Sequence, residues 1–305
     1  MLRNGQSREG TWEASEMTQE SIFEKMWERR GFKAELRAAS AIAIKQWQVE
    51  FSYPLSVLWF ILMPFLWFIP SLIAGAAVAG GSESAYLSEL AGTTDWLTYI
   101  AIGSAFTGLA VSLIWGTGFA LRREQNVGTL ETLMTTPMRR DTLVWGSTLH
   151  NIQHGGLGVV LQLGVSIILF GINLNLWGVL PALGIIGLSI IGLQGLVFAV
   201  VCIVLLAKQA WMVVEFLSSI LFLIAPMTYP IAVLPPILQY ISYGSPLTWS
   251  VEGFRGFLMG ALTGPMLLTT IVALIILDVI FITLGVLLFS RAERYVRSKG
   301  ALSQF

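Results

Sequence analysis

Apolar residues fall into six long runs, at 54–76, 96–121, 142–170, 176–206, 211–234 and 266–289. Polar residues gather in the short stretches between them and at the two ends. About 20 apolar residues wound as a helix cross the ~30 Å hydrocarbon layer of a bilayer. The pattern therefore predicts an all-α polytopic membrane protein with six transmembrane helices in a domain spanning 54–290. Pro54 suits a first helical turn, and Pro64 and Pro70 predict kinks in the first span. The third run exceeds what a bilayer needs, which predicts tilt or a cytoplasmic projection. In the fourth, Gly184, Gly187, Gly192, Gly195 and Ala199 share one side of a helical wheel, a face suited to close helix packing.

The polar stretches are unequal. Residues 1–20 mix acids and bases with few apolar anchors, and a flexible tail is expected there. From 21 to 53 the pattern becomes amphipathic. Leu36, Ala39, Ala43, Trp47 and Phe51 recur at helical spacing, with Lys33, Arg37 and Lys45 available to lipid headgroups. This predicts a helix lying on the membrane surface; a soluble helical tail is the competing reading.

The stretch 122–140, RREQNVGTLETLMTTPMRR, is a polar island between spans two and three. Arg122 and Arg123 suit the end of a helix leaving the membrane. Gly128 should break that helix, Thr129 should cap a new one with Glu131 in its first turn, and Pro137 should end it. The expected product is a peg of about two turns. Between spans five and six, Pro226, Pro230, Pro235, Pro236 and Pro246 cut the chain into pieces of about ten residues. Pieces at 236–243 and 247–259 are predicted as short helices in or on the outer leaflet, within 235–260. Tyr229, Tyr240, Tyr243 and Trp249 fit an aromatic belt there.

Charge orients the chain. Only 12% of the 305 residues are charged, against about a quarter in soluble domains, and 55% are hydrophobic. Lysines and arginines concentrate before span one, in the island, at Lys208 and in the tail 291–305. The other side carries Arg255 with Glu83, Glu89, Asp95 and Glu252. The positive-inside rule then predicts cytoplasmic termini and a cytoplasmic island. Residues 1–50 contain no apolar signal segment, so span one is expected to direct its own insertion.

Little in the sequence resembles an active site. There is no GxxxxGK[ST] loop, so the chain is not expected to hydrolyse ATP by itself. His150 and His154 lie one turn apart; a polar patch is the favoured reading over a metal pair, and no metal site is expected. Cys202 reads as a small apolar residue in a helix. Asp278, in the middle of span six, is costly unless paired, hydrated or neutral. It is either a polar point on a substrate path or a carboxyl at a helix contact. Glu252 and Arg255 are spaced for an ion pair.

Glu124, Gly128, Thr129, Leu130, Glu131, Leu133, Thr136, Pro137 and Arg140 resemble the island motif of type-2 ABC exporter permeases. Tyr229-Pro230, Leu234-Pro235, Ser245-Pro246-Leu247 and Glu252-Gly253-Phe254-Arg255-Gly256 resemble that family's second pattern, near the exit. The daunorubicin-resistance-like multidrug branch is the nearest in motif. The resemblance implies a permease subunit of an ATP-driven exporter in the cell membrane. It implies a separate ABC ATPase partner holding ATP and Mg, and a homodimer of permeases embedded in membrane lipid, with no nucleic acid. The island would be the coupling helix, and the amphipathic segment 21–53 the connecting helix. Tyr229, Pro230, Pro235, Pro246, Glu252 and Arg255 would belong to an outer gate, and Asp278 to the pathway. The cargo would be a drug-like amphiphile or a lipid, or alternatively a glycolipid or lipid-linked polysaccharide. A membrane-embedded enzyme would need convergent polar groups in the spans. An ion-driven transporter would be expected to show an internal repeat, and none is evident.

Overall fold

The computed structural model describes residues 31–79, 84–136, 138–207, 210–261 and 264–298. The predicted tail 1–20, the first part of the surface segment, Glu83, Pro137, Lys208 and residues 299–305 lie outside them. Every regular element among the described residues is helical. The α-helices in chain order are α1 (Phe32–Phe51), α2 (Pro54–Ala79), α3 (Ala85–Ala91), α4 (Trp96–Val111), α5 (Ala120–Val127), α6 (Leu130–Thr135), α7 (Arg140–Phe170), α8 (Val179–Leu206), α9 (Ala210–Ile224), α10 (Pro236–Tyr243), α11 (Pro246–Leu258) and α12 (Gly264–Ser298).

Five helices among the described residues are long and apolar enough to cross a membrane: Pro54–Ala77, Trp96–Thr117, Asp141–Phe170, Leu176–Val204 and Gly264–Ala292. The predicted fifth span, 211–234, is shorter than expected. Its helix is α9, 15 residues long, or about 22 Å against ~30 Å of hydrocarbon. Pro226 carries no N–H, and the chain turns at that point instead of continuing to Leu234. Pro64 and Pro70 do lie inside α2.

The second and fourth spans form the centre of the bundle, with 72% and 61% of their apolar windows buried, against 6% for the first and 17% for the last. Ala101, Ile102, Ala105, Phe106, Leu109 and Ile114 pack there with Leu193, Val200, Leu247 and Leu274. The small-residue face of α8 is used only in part. A Cβ on Gly195 would lie 2.3 Å from the Phe281 backbone, and one on Gly192 would lie 2.1 Å from Asp278 Oδ1. Gly184 and Gly187 face open space. The close α8–α12 contact therefore occupies the second half of the stripe alone.

Helix α1 packs on the bundle with part of its amphipathic stripe. Ala39, Ile42, Ala43 and Gln46 are buried, whereas Leu36 and Phe51 are exposed. Gly146 of α7 decides this, because its missing side chain lets Ile42 approach where a Cβ would stand 2.7 Å away. Gln46 then donates to Ser147 Oγ at 2.8 Å. Leu36, Ile44 and Phe51 share one flank of the helix and are left exposed, the pattern of a helix lying on a bilayer surface.

Candidate functional site

The second span does not end as a regular helix. After α4 the residues Ser112–Thr117 wind as a π-helix, a form often found at functional sites. Gly116 sits in that turn because α7 presses on it: a Cβ there would lie 2.1 Å from Asn151 Oδ1. Asn151 Nδ2 donates to Thr117 Oγ1 at 3.1 Å. The Gly116 carbonyl accepts from Arg123 Nη2 at 3.0 Å, so a side chain of α5 reaches back to the irregular turn.

Gly128 then adopts φ +79°, the left-handed conformation that closes many helix ends. The amide of Thr129 donates to Glu124 O at 3.0 Å, and α6 begins at Leu130. The expected capping role of Thr129 is not seen. Its hydroxyl makes no cap and instead donates to the Glu124 carboxylate. Lys45 of α1 reaches the same carboxylate with both oxygens within 2.7 Å. Lys45 is therefore committed to an ion pair, not free for lipid headgroups as its spacing predicted. Burial by itself would raise the Glu124 pKa, but the bonds from Lys45 and Thr129 outweigh it and hold the pKa below the ordinary value.

Glu124 thus joins three elements. It belongs to α5, is bonded to α1, and is bonded to the residue before α6. Leu130 and Leu133 turn inward from α6 onto a second apolar cluster built by Ile42, Leu143, Val197, Phe198, Val201 and Phe289. Thr132, Thr135 and Thr136 are exposed on the other side. Glu131 is the second residue of α6 and Arg140 the first of α7. Glu35 of α1 accepts from the Thr142 hydroxyl and, at 3.3 Å, from the Arg139 amide. In this way α1 is tied to the start of the third span, whose N-cap residue Arg139 makes no side-chain cap.

Beside this junction lies a cavity of about 1090 Å³ bounded by α1, α2, α4, α5 and α7. Its polar end carries Lys45, Glu50, Arg123, Glu124, His150 and His154. Its inner wall is apolar and aromatic, with Trp59, Phe60, Met63, Ala105, Val111 and Trp115. Glu50 accepts from His154 Nε2 at 3.1 Å and lies 3.5 Å from His150 Nε2. Burial would raise the Glu50 pKa, but those two contacts outweigh it and lower it from 4.5 to about 2. The carboxylate therefore stays ionised at neutral pH. Trp47 packs on His150 with ring centroids 4.8 Å apart, and Phe60 on His154 at 4.3 Å. The histidine pair thus belongs to a carboxylate cluster, and no group that could hold a metal ion occurs among the described residues.

At the opposite end of the bundle, Arg255 is 2% exposed. It binds Glu252 Oε1 at 2.9 Å and the carbonyls of Pro226 and Met227 at 3.0 and 2.6 Å. Its guanidinium also lies 3.6 Å from the Tyr99 ring centroid, a cation–π contact. Met227 O enters a notch left by Gly103, whose Cβ would stand 1.5 Å from it. The prolines act as the sequence suggested: Pro230 precedes the turn Ile231–Val233, Pro235 precedes α10, and Pro246 opens α11. Tyr229 donates its hydroxyl to Leu223 O. Asp278 is not on the cavity wall. It is 3% exposed, packs at the α8–α12 contact near Gly192 and Pro246, and has no hydrogen-bond partner for either oxygen among the described residues.

Residues 37–259, more than half the chain, match the ABC-2 type transporter family. The chain belongs to that family. A search of curated proteins finds no match. As an ABC-2 membrane domain, the chain is the permease component of an ABC transporter, a polytopic membrane protein whose ATPase is a partner. The matched stretch covers α1 from Arg37, the α5–α6 junction and the Arg255 cluster in one continuous alignment. Sequence reasoning missed Glu50. It lies in a surface helix 104 residues from His154, and the only legible hint was two histidines sharing a helical face.

Proposed function

We propose that this ABC-2 permease works in an ATP-driven exporter, moving a drug-like amphiphile or a lipid out of the cytoplasm or the inner leaflet. The proposed unit is a permease homodimer with two ATPases, six spans per chain and cytoplasmic termini. The daunorubicin-resistance-like branch is the nearest assignment on the island motif, and a glycolipid or lipid-linked polysaccharide is the alternative cargo. In this reading α6 is the coupling helix, α1 the connecting helix, and the Arg255 cluster with its flanking prolines the outer gate.

One observation carries the reading. Glu124 lies on the cavity wall and is bonded to both α1 and the residue that opens α6. A displacement of α6 by an ATPase would pull on a residue lining the cavity. The cavity has the polar end and apolar body expected of a site for amphiphiles. The test uses the permease and its ATPase co-reconstituted in liposomes. Two glycines inserted beside Glu131 should abolish ATP-dependent transport while membrane insertion and expression persist. Transport that survives the insertion would remove α6 from the transmission path.

A further inference from the structure

The cavity carries a charge pattern that narrows its ligand, an inference resting on the reading above that the cavity receives cargo. Four formal charges line its polar end: Lys45, Glu50, Arg123 and Glu124. Lys45 and Glu124 are closed on each other at 2.6 Å. Arg123 and Glu50 are not closed in this way.

The one acceptor bonded to Arg123 among the described residues is Gly116 O. A guanidinium offers five N–H donors in a planar fork, so most of this one is open. Glu50 takes two histidine contacts, and a carboxylate has about four acceptor positions. The two charges share one field. Removal from water lowers the Arg123 pKa, and the Glu124 and then the Glu50 carboxylates oppose that change. Phe60, whose ring packs on His154, lines the cavity beside Glu50, and an aromatic face favours an ammonium beside a carboxylate. A planar guanidinium fork matches phosphate.

A purely cationic head would meet Arg123 with no counter-charge, and a purely anionic head would meet Glu50. Each would set a like charge against one of the two, Arg123 on the exposed rim or the half-buried Glu50, which is unfavourable. A head bearing both signs avoids both. The volume of about 1090 Å³ is at the upper end of ligand sites, which run to about 1,000 Å³, and so accommodates an apolar chain.

We propose that the cavity binds an amphiphile with a zwitterionic phospho-amine head, its phosphate on Arg123, its amine on Glu50, and its apolar body running inward along Trp59, Phe60 and Met63 toward Gly108.

The experiment is equilibrium binding to the full chain purified in an uncharged maltoside detergent. Radiolabelled dodecylphosphocholine, dodecyltrimethylammonium and dodecyl phosphate serve as probes with one chain length and three heads. The zwitterion should bind about tenfold more tightly than either singly charged probe, the worth of one good charge-assisted contact. Arg123→Gln should reduce the zwitterion to the level of the cation, and Glu50→Gln to the level of the anion. Arg123→Lys should restore part of the loss. Gly108→Leu should abolish binding of all three, because Gly108 lines the cavity and a Cβ there meets nothing within 4 Å, so the added side chain projects into the cavity.

Competition by a two-chain phosphatidylcholine would support the assignment with a membrane lipid as the source. Competition by the single-chain probe alone would support it with a soluble amphiphile. Equal binding of all three heads, or a preference untouched by both charge variants, overturns the headgroup assignment. Binding unaffected by Gly108→Leu also overturns it. Failure of the transport reading is separate: it would appear as Gly108→Leu leaving ATP-driven transport intact.

Discussion

At the residue scale, three side chains set the character of this permease. Glu124 is 5% exposed, and its partners lie on different elements. Glu124→Gln keeps the shape and removes the charge that Lys45 faces. A hydrogen bond to a charged group contributes about 1.5–3 kcal/mol, and Lys45 is 42% exposed, so a loss of about 1–2 kcal/mol is expected. It should register as a lower apparent unfolding midpoint in detergent. Lys45→Gln in the same background should add little, since the pair is already broken. Glu50 makes a statement about pH. Its folded pKa is depressed from 4.5 to about 2. The stability it contributes is therefore present above about pH 4.5 and is lost as pH falls toward 2. Melting curves of wild type and Glu50→Gln should converge across that window and stand apart above it; parallel curves throughout would contradict the assignment. Gly103 is a steric requirement. Gly103→Ala sets a Cβ against Met227 O, which must shift along with the Arg255 contacts. Overpacking of this kind costs about 1–3 kcal/mol, read as a lower melting temperature and a newly reactive cysteine at an adjacent outer position.

At the element scale, α6 has two faces with different duties. Leu130 and Leu133 anchor it to an apolar cluster that includes residues of α1, α7, α8 and α12. Thr132, Thr135 and Thr136 point away from the bundle. Truncating the anchor should loosen the peg while preserving the outer face. Leu133→Ala is expected to cut substrate-stimulated ATP turnover several-fold and leave co-purification of the ATPase unchanged. Thr132→Arg, on the exposed face, should weaken co-purification itself. The break at Gly128 and the six-residue helix after it were legible, because a glycine and a proline nine residues apart delimit what lies between them. The fate of the Thr129 hydroxyl was not, because its acceptor is fixed by α1 reaching Glu124 across 79 residues. The same holds for α1, where Ile42 and Gln46, outside the legible stripe, are buried against α7 at Gly146 and Ser147. The fifth span was overestimated for another reason: apolar residues continue past Ile224 to Leu234, and hydropathy does not register that Pro226 turns the backbone.

At the scale of the whole molecule, the bundle is lopsided. The second and fourth spans are well covered by protein, while α2 and α9 offer broad apolar surfaces. Lipid can cover such surfaces, so apolar exposure alone does not require a partner. Glu215 changes the balance. It is exposed on α9 between Val214 and Phe216, and an acidic side chain facing hydrocarbon is unfavourable by roughly 2.5–3.5 kcal/mol at mid-membrane. Helix α9 is also too short to hold its ends at both interfaces. Both facts favour a face of α9 that meets protein or a wet path. The proposed homodimer supplies such a face and makes a periodic prediction. The sole cysteine, Cys202, is buried, so replacing it gives a background for single cysteines placed along α2 and α9. Positions on the Glu215 face should cross-link two copies into a species of doubled mass, recurring every three to four residues. Positions on the opposite face should instead react with a lipid-soluble maleimide. Uniform labelling around α9, with no face that cross-links, would exclude a second copy at this helix and leave the Glu215 side to water.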